Sequence, residues 1–194
     1  MRDRGVHTAL ALLVGAVALM WALEFADQHW SLGLDRLGIE PREPRGLLGI
    51  VFAPFLHGTW SHLASNTVPL VVFGTVIALS GLRRLVGVTV ICATVAGVGT
   101  WLTGDAGSLH IGASAVIFGY ATYLMARGLY TRHLLHVAIG VGVFLLYGGT
   151  MALGTVPTPG VSWQGHLFGV LGGLLATGWA SREDQRGAVS VPAR

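Results

Sequence analysis

A serine hydroxyl is a weak nucleophile until a neighbouring base removes its proton, and a histidine titrating near neutrality is the usual base. The chain offers such a pair in Ser114, within Gly112-Ala113-Ser114-Ala115, and His166, within Gly165-His166-Leu167-Phe168-Gly169. Both lie in otherwise uncharged apolar runs, where a polar group is expensive and is by default a functional candidate. No carboxylate occurs in those runs near His166, so the pattern reads as a dyad and not a Ser-His-Asp triad. Another group has to orient the ring, and Phe118, one helical turn beyond Ser114, is expected to pack against its face. Attack on a peptide carbonyl generates an oxyanion, and each donor aimed at it is worth roughly two to three orders of magnitude in rate. His62 and Asn66, four apart in the sequence and therefore on one helix face, are the candidate donors. The backbone N–H of Ser114, close to a helix N-terminus, adds a third.

Helices in a bilayer are the elements that have to carry these groups. Of the 194 residues, 53% are hydrophobic and 11% charged, too little polar surface for a soluble globule of this length. Apolar runs at Val6–Leu23, His62–Leu82, Leu85–Thr103, Gly112–Ala126, His133–Leu153 and Ser162–Ala180 predict six transmembrane helices. Residues 1–24 form the first helix with its N-terminus, residues 25–181 the rest of a catalytic core whose first loop spans 25–52, and residues 182–194 a tail. Counting back from Arg127, Arg83 and Arg182 at about 1.5 Å per residue puts Ser114, Asn66 and His166 at roughly 20, 26 and 24 Å from the basic end of their helices. The three groups thus meet at one level, several ångströms below the opposite surface of a core about 30 Å thick. The fourth run is short, so its helix is expected to start after a loop that dips back into the membrane, a course tolerated only where protein or a wet cavity surrounds it. The expected fold is an all-α membrane bundle of six transmembrane helices with a re-entrant loop before a short fourth helix. Gly165, Gly169 and Gly173 give the sixth helix a face of small residues, with Ala115 and Gly119 as the counterpart on the fourth.

All twelve basic residues are arginine. With the helix ends assigned alternately, nine of them fall on one side against Arg36, Arg42 and Arg45 on the other, which makes both termini cytoplasmic and opens the site outward. A bacterial plasma membrane is the expected location. The arginines are spaced and not clustered, which argues against nucleic-acid binding. Cys92, the single cysteine, sits in an apolar run, so it reads as a small buried hydrophobe with no disulfide or paired-cysteine metal site. Arg2 and Arg4 before an apolar run containing Ala16-Val17-Ala18 also fit a secretory signal. The run continues to Leu23, and the alternation of basic loops works if it stays as a helix.

Each polar group has a plainer reading. Membrane-helix serines often bond back to their own backbone, Asn66 can bond across helices, and a lone His62 or His166 can serve packing or a proton relay. His57 is read as structural, and His110 as a residue of the re-entrant loop. Three other classes stand beside a serine hydrolase. A metal hydrolase using His57, His62 and His166 lacks HExxH and a nearby carboxylate. A small transporter lining a path with these groups lacks an evident inverted repeat. A non-catalytic adaptor would share the fold and bind membrane helices.

Three motifs in order resemble the rhomboid intramembrane serine proteases: His62-x-x-x-Asn66, Gly112-Ala113-Ser114-Ala115, and His166-x-x-Gly169-x-x-x-Gly173. The resemblance implies Ser114 as nucleophile, His166 as base, and His62 and Asn66 as oxyanion donors. It also implies cleavage of transmembrane protein substrates near the outer membrane face, with neither metal nor cofactor and with substrate helices and lipids as partners. Two features depart from the family pattern. No tryptophan occurs between Trp30 and Trp60 to form the Trp-Arg pair common in the first outer loop, and the aromatic four residues after the serine is Phe118 where tyrosine is frequent.

Overall fold

The computed structural model describes residues 2–189, and among these it contains no β-strand. The helices are α1 (Arg2–Trp30), the short α2 (Gly49–Phe52), α3 (Trp60–Ala78), α4 (Leu82–Thr103), α5 (Ser114–Thr131), α6 (Leu134–Gly154) and α7 (Trp163–Val189). Four of them, α1, α3, α4 and α6, are long and apolar enough to cross a membrane. The remaining long helices, α5 and α7, are diluted by Tyr120, Thr122, Tyr123 and Arg127 in one and by Gln164, His166 and Thr177 in the other. The six apolar runs of the sequence therefore become six long helices of two kinds.

The reason lies in where α5 sits. Every residue from Val116 to Leu124 is buried, so this stretch of the helix has no outward face and is surrounded by protein on all sides, and only its last turn, with Leu129 and Tyr130, is exposed. Helices α4 and α7 close on it through small residues. A methyl group on Gly169 would collide with the carbonyl of Ala115, one on Gly173 with the carbonyl of Gly119, and one on Gly119 would meet Cys92 Sγ at 2.5 Å. Backbone approach of this kind is what small-residue faces permit. Cys92 is fully buried in the packing. On the far side of α7, the rings of Phe168 and Trp179 fill the spaces left by Gly99 and Gly87 of α4.

By contrast α6 is lightly held. Its buried residues are Gly140, Val143 and Met151, while Leu145 and Leu146 are 74% and 87% exposed, as suits a helix facing hydrocarbon.

Helix α1 runs on to Trp30 instead of ending near residue 24. The apolar run stops at Glu24, but Glu24, Asp27 and Gln28 do not break a helix, and buried Glu24 accepts a hydrogen bond from Gln28 Nε2 at 3.0 Å. The first loop accordingly begins at Ser31. It packs as two 3-10 turns, Leu34–Leu37 and Pro44–Leu47, followed by α2. With no tryptophan of its own, the loop is fastened from outside. Trp101 of α4 donates from Nε1 to the Glu43 carbonyl at 2.9 Å. Arg42 Nη1 donates to the carbonyls of Gly104 and Leu102 at 2.7 and 3.3 Å, satisfying acceptors left free where α4 ends. Ile39 and His110 exchange backbone hydrogen bonds, both 2.9 Å, which ties this loop to the segment between α4 and α5.

At the opposite end, α7 continues through the start of the expected tail. Arg83 pairs with Glu183 at 2.6 Å, and Arg84 pairs with Asp184, so the start of α4 anchors this last stretch. Arg194 and the other residues past Val189 lie outside the described residues.

Candidate active site

Ser114 is the first residue of α5, and its placement depends on the two residues before it. Gly112 has φ of +108°, a conformation that side-chain-bearing residues rarely adopt. A Cβ there would also lie 2.6 Å from His62 Cε1 and 2.7 Å from His62 Nε2, so glycine is required twice over. The Gly112 N–H donates to the Ala53 carbonyl at 2.8 Å, and the Ala113 N–H points at Nε2 of buried His57 at 3.5 Å. As the opening residue of α5, Ser114 has a backbone N–H with no acceptor inside the helix.

His166 stands one turn into α7, and its Nε2 lies 2.8 Å from Ser114 Oγ. Its Nδ1 lies 2.8 Å from the carbonyl oxygen of Gly154, the last residue of α6. A carbonyl can only accept, so Nδ1 carries the proton and Nε2 presents its lone pair to the serine hydroxyl. The Phe118 ring stacks on the imidazole with centroids 4.1 Å apart and planes 10° from parallel. The ring is thereby oriented by one aromatic face and one helix-terminal carbonyl. Phe118 is visible from its spacing in the sequence. The Gly154 carbonyl is not, because a main-chain acceptor has no signature in residue type.

His62 and Asn66 occupy successive turns of α3, which is capped by Thr59, whose Oγ1 accepts from the His62 N–H at 3.2 Å. Asn66 Nδ2 donates to the His62 carbonyl at 3.0 Å, leaving its second N–H available. Both flank Gly112, His62 in contact with it and Asn66 Nδ2 3.7 Å from where a Cβ would stand. Together with Ser114, Phe118, Tyr147 and His166 they line one open cavity of about 1020 Å³. The structure thus brings Ser114, His166, His62, Asn66, Gly112 and Phe118 to one place, with Gly169 and Gly173 holding the two helices that meet there. Among the described residues, no three His, Cys, Asp or Glu side chains converge as a metal site would require.

The likeness to known proteins follows the same residues. A profile of the Rhomboid domain matches residues 44–183, which hold every one of these groups. The uncharacterized protein Rv1337 of Mycobacterium tuberculosis is 44% identical, the alignment covering 82% of this chain and 70% of the relative. The uncharacterized protein ML1171 of Mycobacterium leprae is 43% identical over 82% of this chain and 66% of its own length. A helical bundle with four helices long and apolar enough to cross a membrane marks an integral membrane protein. This chain belongs to the rhomboid family.

Proposed function

We propose that the protein is an intramembrane serine endopeptidase that hydrolyses peptide bonds in transmembrane segments of other membrane proteins. The observation that carries this reading is the 2.8 Å approach of His166 Nε2 to Ser114 Oγ with Nδ1 of the same ring engaged by Gly154. His166 takes the hydroxyl proton as Ser114 Oγ attacks the scissile carbonyl, and the resulting imidazolium returns that proton to the leaving amine. Water then attacks the acyl-enzyme by the same route in reverse. The tetrahedral oxyanion is held by His62, by the free N–H of Asn66 and by the backbone N–H of Ser114. No metal or cofactor enters the reaction.

All six long helices span the bilayer in this reading. The lower hydropathy of α5 and α7 is accommodated because protein surrounds α5 from Val116 to Leu124 and because Gln164 and His166 turn inward. The excess of arginines at one end sets both termini in the cytoplasm of a bacterial cell, so the cavity opens outward, and the segment from Gly104 to Ala113 is the re-entrant piece. Substrate helices and lipid are the partners.

The test is cleavage of a single-span substrate in liposomes, with chelator present, by the parent and Ser114→Ala, alongside labelling of Ser114 by a fluorophosphonate. Cleavage and labelling in the parent and neither in the variant support the reading. An inert, unlabelled parent overturns it and favours a helix-binding adaptor, and equal cleavage by both proteins overturns it by showing that the activity belongs elsewhere. The oxyanion assignment carries its own expectation. His62→Ala and Asn66→Ala are each expected to lower kcat by about 10²-fold or more with KM little changed, as befits groups that act on the transition state alone.

A further inference from the structure

A second serine–histidine contact lies beside the first, in mirrored register. His110 precedes Ser114 by four residues, and Ser162 precedes His166 by four. His110 Nδ1 lies 2.7 Å from Ser162 Oγ, alongside the 2.8 Å contact between His166 and Ser114. The same two chain segments are therefore bridged twice, with the residue types exchanged.

The tautomer of His110 follows from its neighbours. Ser108 Oγ donates its single proton to the Asp105 carbonyl at 2.6 Å, so it accepts from His110 Nε2 at 2.9 Å. Nε2 then carries the ring proton, and Ser162 Oγ–H donates to Nδ1.

Both ends of the bridge are held by the backbone, and the Ser162 end is bonded to His166 itself. The His110 backbone is fixed by its two hydrogen bonds to Ile39. Ser162 precedes α7 directly, and its carbonyl accepts the His166 N–H at 3.0 Å, so a shift of Ser162 is passed to His166 within one turn.

We propose that His110 and Ser162, which line the same cavity as Ser114 and His166, form a positioning pair that sets the separation of those two residues. The inference rests on reading Ser114 and His166 as the proteolytic dyad. Loss of the pair lets the start of α7 drift from the start of α5, and a displacement of about 1 Å at reacting atoms lowers rates by about 10²-fold.

Three variants test it: His110→Ala, Ser162→Ala and the two combined. Each single change is expected to lower kcat and the rate of fluorophosphonate labelling at Ser114 by between about ten- and a hundredfold, with KM within about twofold. The double variant is expected to be no slower than the slower single one, because both remove one contact. Ser162→Thr, which keeps the hydroxyl, is expected to restore most of the labelling rate. Parent-like labelling in His110→Ala, or losses that multiply in the double variant, overturn the pair. Should the parent itself be inert and unlabelled, the proteolytic reading fails instead. The pair is then judged by the melting temperatures of the same three variants: non-additive shifts support the contact and additive shifts overturn it.

Discussion

The His166→Ala protein is expected to cleave a single-span substrate in liposomes at least about 10⁴-fold more slowly than the parent, as loss of a triad histidine does elsewhere. The size of the effect follows from the geometry. Without the imidazole, nothing within reach of Ser114 Oγ accepts its proton, since no carboxylate or second histidine is bonded to it. The residual rate is what the oxyanion donors and substrate binding supply. Ser114→Ala is expected to lose as much, and the double variant no more, because the two residues act as a unit. Initial cleavage rates measure this, with the melting temperature in detergent showing that each variant remains folded. A loss of only tenfold in His166→Ala would remove the dyad mechanism.

The second large effect is expected from a single methyl group. Gly169→Ala sets its Cβ against the carbonyl of Ala115, the residue next to Ser114. The obstacle is main chain of a helix, so no side chain can swing aside, and α7 has to move away from α5 at the level of the dyad. A fall in kcat of about 10²-fold or more is expected from the misplacement, together with a lowered melting temperature from overpacking, typically about 1–3 kcal/mol. Gly178→Ala is the control, since nothing lies within 4 Å of its Cβ position on the same helix. Equal activity in the two variants would show that the α5–α7 contact is not what sets the Ser114–His166 distance.

These groups differ in how far the sequence displays them. Ser114, His166, His62 and Asn66 stand out because a polar side chain in an apolar run is rare, and Gly169 and Gly173 because helical spacing puts them on one face. The enclosure of α5 is not written in its composition, which is no more polar than that of α7, several of whose leucines are exposed. It emerges from packing on all sides. Two further contributors escape a reading by residue type: the Gly154 carbonyl is main chain, and His110 and Ser162 lie in irregular segments with no period to align them. The end of α1 escapes for another reason, since charge marks where an apolar run stops and not where a helix stops.

The unequal hydropathy of the helices bears on how the protein comes into being. The helices that carry Ser114 and His166, α5 and α7, are the two long helices among the described residues that do not qualify as spans by their own length and composition. In the proposed six-span arrangement their residence in the bilayer leans on α1, α3, α4 and α6, which are long and apolar enough to enter by themselves. Ser114 meets His166 only after α7, the last helix among the described residues, has docked. A chain stalled before α7 carries Ser114 without His166, so on the proposed reading the hydrolytic centre forms only once the bundle has assembled.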